Sequence, residues 1–83
     1  MNNMNAKMSI LRYLTKTNAE GKQNTMTTAH ARTMFKVKNI AARIYDLRKE
    51  GFRIYTNDRK LKDGRIVKAY RLADAKNVSQ LFA

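Results

Sequence analysis

Cysteine is absent from the 83-residue chain, which excludes a disulfide framework, a thiolate metal site and a cysteine nucleophile. A reducing compartment is compatible with that absence. Histidine occurs once, at His30, with no cysteine or second histidine to complete a metal site, so a surface or half-buried helix residue is expected there. Long apolar runs are missing as well. The opening MNNMNAKMSI lacks the hydrophobic stretch of a secretory signal, and no segment reaches the length that spans a bilayer. A cytoplasmic location without membrane contact is the resulting expectation. Carboxylates are scarce and unpaired: Asp46 and Glu50 stand four apart among Arg and Lys, which favours their ionised form over an acid-base role. No catalytic residue, metal, cofactor or small-molecule substrate emerges. A chain of this length builds a core too small to enclose a substrate cavity as well, so a binding module is expected and not an enzyme.

What the chain has in excess is positive charge. Eighteen Lys plus Arg against six Asp plus Glu leave a formal net charge of +12, spread along the whole sequence. Such an excess repels itself and becomes useful against a polyanion, where each neutralised phosphate releases condensed counterions. Nucleic acid is the first candidate, against the plainer reading of a soluble protein that is merely basic.

Residues 36–51, KVKNIAARIYDLRKEG, read as a helix with both ends marked. Ile40, Ile44 and Leu47 recur at i, i+4 and i+7 as a rear apolar stripe, while Lys36, Lys38, Asn39 and Arg43 fall elsewhere on it or just before it. The side-chain oxygen of Asn39 suits an N-cap, and Gly51 suits the left-handed residue that ends a helix. Upstream, Met8, Leu11 and Leu14, with Ile10 beside them, predict a first helix from about Met4 to Lys16 after a polar lead-in. TNAEGKQN follows as a flexible connection containing Gly21. Thr25 or Thr27 then caps a short second helix, MTTAHARTMF, with Met26, Ala29 or His30, and Met34 on one face and small Ala29 and Ala31 allowing close approach. Only residues 35–38 separate it from the third helix, a tight turn with Phe35 and Val37 inward.

After Gly51 the period changes. Runs rich in β-branched and aromatic residues predict strands at about 52–57 and 65–72, with Asp63-Gly64 as a type I′ hairpin turn and the state of 58–62 left open. Asp74 is a plausible cap for a short C-terminal helix at about 74–82, with Val78, Leu81 and Phe82 on one side. Those three side chains can close the chain's own core or pair with another copy, and a homodimer is the expected assembly. Tyr13, Tyr45, Tyr55 and Tyr70 are scattered and read mainly as core or core-edge residues, and the methionines as core filler. The whole of 1–83 is expected to be one α+β domain with its core at about 8–72.

Three helices followed at once by a hairpin resemble the winged helix-turn-helix family of DNA-binding domains, over about residues 10–72. The most specific stretch is IAARIYDLRKEGFRI, which is similar to the pattern in which a recognition helix ends in Leu, a few charges and Gly before an apolar strand residue. Small helix-turn-helix proteins of phages and mobile elements look particularly alike. One departure is the absence of glycine from the turn before the third helix.

The resemblance implies a third helix in the major groove of double-stranded DNA, with its N-terminal residues on base edges. Carried over by position, this puts Lys38, Asn39, Ala42, Arg43 and Asp46 at or near bases and Lys36 and Lys49 nearer phosphates. Arg43 suits guanine O6 and N7, Asn39 suits adenine, and Ala42 suits a thymine methyl. Two competing readings stand beside these: capping uses up the Asn39 side chain, and Asp46 is an intrahelical partner of Arg43 or Lys49. In the hairpin, Arg59, Lys60, Lys62 and Arg65 flank the tip and are the expected wing contacts to phosphates, against the reading of a charged, solvated edge strand. Thr27, Thr28 and Arg32, near the start of the second helix, are further phosphate donors. The expected function is a transcriptional regulator, nucleoid-associated when bound, or in the host cytoplasm if phage-encoded. The alternatives are an architectural protein for recombination or replication and a module that docks on an acidic host protein.

Overall fold

The computed structural model describes residues 5–82. Met4, the expected start of the first helix, lies outside that range. Helix α1 spans Ala6–Thr15 and begins where Asn5 accepts the Met8 N–H at 2.9 Å, the capping geometry that satisfies a free donor of the first turn. Its Ile10, Leu11 and Leu14 are fully buried. The connection that follows is more tightly tied than a flexible linker. Asn18 Oδ1 accepts the N–H groups of Glu20 and Lys22, and the Gln23 amide donates to the Leu14 and Leu72 carbonyls.

A two-residue strand, β1 (Met26–Thr27), comes next and corrects the expectation that Met26 opens a helix. Met26 pairs with Tyr70 in the sheet and is fully buried, while Thr27 Oγ1 accepts the His30 N–H at 3.2 Å and so caps α2 (Thr28–Phe35). With the helix phased from Thr27, its inward positions become Ala31 and Phe35, four apart, and the expected face through Met34 turns outward; Met34 is exposed. Of the two alanines expected at close approaches, Ala31 is buried and Ala29 exposed. The turn without glycine is built by Lys36, which itself adopts the left-handed conformation at φ 54°, and by Val37, which turns into the core as expected. A lysine in that region carries roughly 1–2 kcal/mol of local strain.

Helix α3 (Ile40–Lys49) has the expected ends. Asn39 Oδ1 accepts the Ala42 N–H at 3.1 Å. At the other end Phe52 N–H reaches the Leu47 carbonyl and Gly51 N–H the Arg48 carbonyl, both at 3.1 Å, the paired bonds of a Schellman cap around Gly51 at φ 104°. A Cβ at Gly51 would meet nothing within 4 Å, so backbone strain alone opposes a side chain there. Gly51→Ala is therefore expected to lower the unfolding free energy by about 1–2 kcal/mol, readable as a shifted urea midpoint with an unchanged m-value.

Strands β2 (Ile54–Lys60) and β3 (Ile66–Leu72) pair antiparallel from Ile54↔Leu72 to Lys60↔Ile66, so the ladder continues as far as Lys60 into the segment left open. β1 joins on the far side of β3, giving a three-stranded sheet in the order β1-β3-β2 where two strands were expected. The hairpin turn is also corrected. Gly64 is at φ 92° but Asp63 is not at positive φ, so the two-residue type I′ form gives way to a turn over 61–64 closed by Gly64 N–H to Leu61 O, with Leu61 N–H to Arg65 O behind it. Asp63 Oδ1 accepts the Arg65 N–H at 3.0 Å, an Asx-type contact that favours this geometry. Last come α4 (Ala75–Val78) and a 3-10 turn, Ser79–Phe82. Asp74 is left-handed and accepts from the Asn77 side chain, not from a backbone N–H as a capping role requires. Val78 and Phe82 pack on the core, and the tighter 3-10 winding carries Leu81 out to solvent. The core lies between the three main helices and one face of the sheet, and α3 is held with one side against it.

Candidate nucleic-acid interface

Three sides of α3 are committed. Ile40, Ile44 and Leu47 are buried, as their spacing predicts. On one flank Arg43 pairs with Asp46 at 3.1 Å, and Glu50 pairs with Lys7 of α1. On the other flank Arg48 donates through Nε and Nη2 to the Ile54 carbonyl, at 3.0 and 2.6 Å, and through Nη2 to Thr56 Oγ1 at 3.0 Å, tying the helix to β2. At 3.6 residues per turn, the side left outward carries Ala41, Ala42, Tyr45 and Lys49. Tyr45 is 62% exposed, and the Lys49 ammonium sits 5.5 Å from its ring centroid. Lys38 and Lys36 are exposed just before the helix.

This arrangement redistributes the roles expected of the helix. Asn39 spends its side-chain oxygen on the cap, and bidentate pairing with adenine, which needs that oxygen as well as the amide nitrogen, would break it. The Arg43 guanidinium leans on Asp46 toward a depression lined by Asn5, Ala6 and Lys7, and its Nε is enclosed without a partner. Asp46 is thus the intrahelical charge partner that its spacing suggests.

The hairpin sorts its cations in the same way. Arg65 pairs with Asp63 at 2.7 Å and Lys68 with Asp58 at 2.8 Å. The hydrogen bond that Lys68 donates to Asp58, and then the carboxylate's charge, raise the Lys68 pKa above its ordinary value. Lys60, at the end of β2, and Lys62, in the turn, are exposed with no acidic partner among the described residues. Arg59 lines a cleft with Tyr13, Lys22, His30 and Asn57 instead of standing at the tip. There the Tyr13 and His30 rings meet edge to face at 5.0 Å, and burial pushes the Tyr13 hydroxyl up while the Arg59 charge opposes the shift. Thr27, one of the two expected caps, is spent on that role, Thr28 is exposed, and Arg32 is exposed in the last turn of α2, not near its start, because the helix is only eight residues long and ends at Phe35.

Two residues escape the sequence reading. Arg48 falls among charges that look solvated, and no spacing reveals its bond to a strand carbonyl. Tyr45, like Tyr55, is exposed and corrects the expectation of a core or core-edge residue; it lies a full residue off the Ile40, Ile44, Leu47 stripe, and that offset is the signal that places it outside the core. Among the described residues no group of His, Asp or Glu is placed to hold a metal ion, and no helix is long and apolar enough to cross a membrane.

A helix, a tight turn, a second helix with one free face and a cationic hairpin directly behind it are now in place. A family model described as a winged helix-turn-helix domain matches residues 7–75. The chain belongs to the winged helix-turn-helix family. No curated protein and no solved structure gives a significant match. The winged helix-turn-helix is a DNA-binding fold and not typically an enzymatic one; in this member α2 and α3 are the helix pair and the β2–β3 hairpin is the wing.

Proposed function

We propose that the protein binds double-stranded DNA as a transcriptional regulator, with α3 in the major groove and the wing on the phosphate backbone. The observation that carries this reading is the free face of α3, bounded by two pinned flanks and set beside a hairpin whose Lys60 and Lys62 have no acidic partner among the described residues. Lys38, Ala42 and Lys49 stand nearest the groove floor in this arrangement. Lys36, Lys60 and Lys62 supply phosphate contacts, with Thr28, Arg32 and Arg59 toward the edge of the footprint. Arg43, Asp46 and Arg65 are engaged in ion pairs and contribute less to the contact with DNA. The net charge of +12 supports a polyanionic partner.

Selection of bound sequences from a random duplex pool tests the proposal. One enriched motif is expected, and a palindromic one would indicate a homodimer, since operator symmetry mirrors protein symmetry. An unenriched pool bound densely and bent would replace the regulator by an architectural protein. Absence of duplex binding at low salt would overturn DNA as the partner and turn attention to an acidic protein.

A further inference from the structure

We infer that α3 reads thymine, with the exposed ring of Tyr45 seated against the C5-methyl group of the base. This inference rests on the proposed placement of α3 in the major groove. The polar side chains best suited to hydrogen-bonded base reading are already engaged: Asn39 by its cap, Arg43 by Asp46 and Arg48 by the Ile54 carbonyl. What the free face offers is the methyl groups of Ala41 and Ala42, the ring of Tyr45 and the ammonium of Lys49. Apart from the ammonium groups of Lys49 and of Lys38 just before the helix, which are point donors, that set lacks the planar paired groups with which Arg, Asn or Gln distinguish guanine or adenine.

Thymine carries the one apolar group on the floor of the major groove. A ring that is 62% exposed, in a domain whose Tyr70 is buried, has apolar area left to remove from water. Lys49, 5.5 Å from the centroid, restrains the ring by a cation-π contact and leaves its edge and hydroxyl free to face the groove. Ala42, on the same side of the helix, is small enough to let the ring approach the bases. The site is therefore specified by methyl contact and shape, with the Tyr45 hydroxyl as a single polar handle.

The test takes the duplex enriched by the wild-type protein and replaces each thymine in turn by uracil, which deletes only the methyl group. At one or more positions wild-type protein should bind the thymine form about three- to fivefold more tightly, the factor expected for burying one methyl group. Tyr45→Phe should keep that ratio. Tyr45→Ala should bring it to about one while still binding unselected duplex, because an exposed side chain contributes little to the fold. Equal affinity for thymine and uracil at every position overturns the thymine reading alone, a ratio that survives in Tyr45→Ala overturns Tyr45 as the reader, and an unenriched pool overturns the regulator reading together with this one. Loss of binding to every duplex by wild-type protein overturns the DNA-binding reading beneath it.

Discussion

Raising the salt between about 50 and 200 mM should weaken duplex binding roughly a thousandfold, the drop expected when about six phosphates are neutralised. The proposed surface places Lys36, Lys60 and Lys62 on the backbone and Arg32 and Arg59 at the edge of the footprint, and the ammonium groups of Lys38 and Lys49 at the groove displace further counterions, so about six is the expected count. Each contact releases close to one condensed counterion, so the slope of log affinity against log salt should lie near −5. Removing Lys60 and Lys62 together should make the slope shallower by about two and weaken all duplexes alike, since a phosphate contact carries no sequence information. Fluorescence anisotropy on one labelled duplex across a salt series measures both quantities. A slope near zero would remove the electrostatic basis of the proposal, and an unchanged slope in the double variant would take the wing off the backbone.

The second large effect is on the fold. Leu47 is fully buried behind α3, and its carbonyl also accepts the Phe52 N–H that closes the helix end. Truncation to Ala should cost about 3–5 kcal/mol through lost burial and the cavity left behind. A domain this small has a total stability near the lower part of the usual range of about 5–15 kcal/mol, so Leu47→Ala should retain little of it. The midpoint of thermal unfolding should fall by about 15 °C or more, and duplex binding should fall with it. A midpoint within a few degrees of wild type would mean that α3 is not anchored through Leu47. The contrast with Tyr45→Ala, which should leave the midpoint nearly unchanged, separates the supporting side of the helix from its working side.

Much of this organisation is legible in the residues. The stripe of Ile40, Ile44 and Leu47, the Asn39 cap and the Gly51 terminus are local signals, each decided within one helical turn, and the structure has all three. The strand β1 is not legible, because Met26 and Thr27 are only two residues long and join a helical pattern without a break; their strand character comes from Tyr70 and Ala69, more than 40 residues away. Met34 turns outward for the same reason: with Met26 in the sheet, the inward positions of α2 are Ala31 and Phe35. The hairpin turn shows a finer limit. Asp-Gly marks the place, but whether one residue or both take positive φ is decided by the Asp63 carboxylate holding the Arg65 N–H. In the candidate site, residue type points to Arg43 and Asn39 as readers, whereas pairing decides which side chains are free. Ion pairs and caps are competitions between neighbours, and composition alone does not say who wins them.

Arg48 joins α3 to β2 by three hydrogen bonds at a point where both elements leave the core. Arg48 thereby ties the start of the wing to the end of the helix, and in the proposed docking the offset between the groove and backbone contacts is set by that tie. Docking in the proposed mode would then need little separate ordering of the two, and would lose correspondingly little conformational entropy in aligning them. If the proposed docking holds, the same tie would make the molecule a gauge of groove geometry: the phosphates under the wing would lie at a set distance from the bases under Tyr45, and a duplex with a widened or narrowed groove at that point would satisfy one contact only by giving up the other.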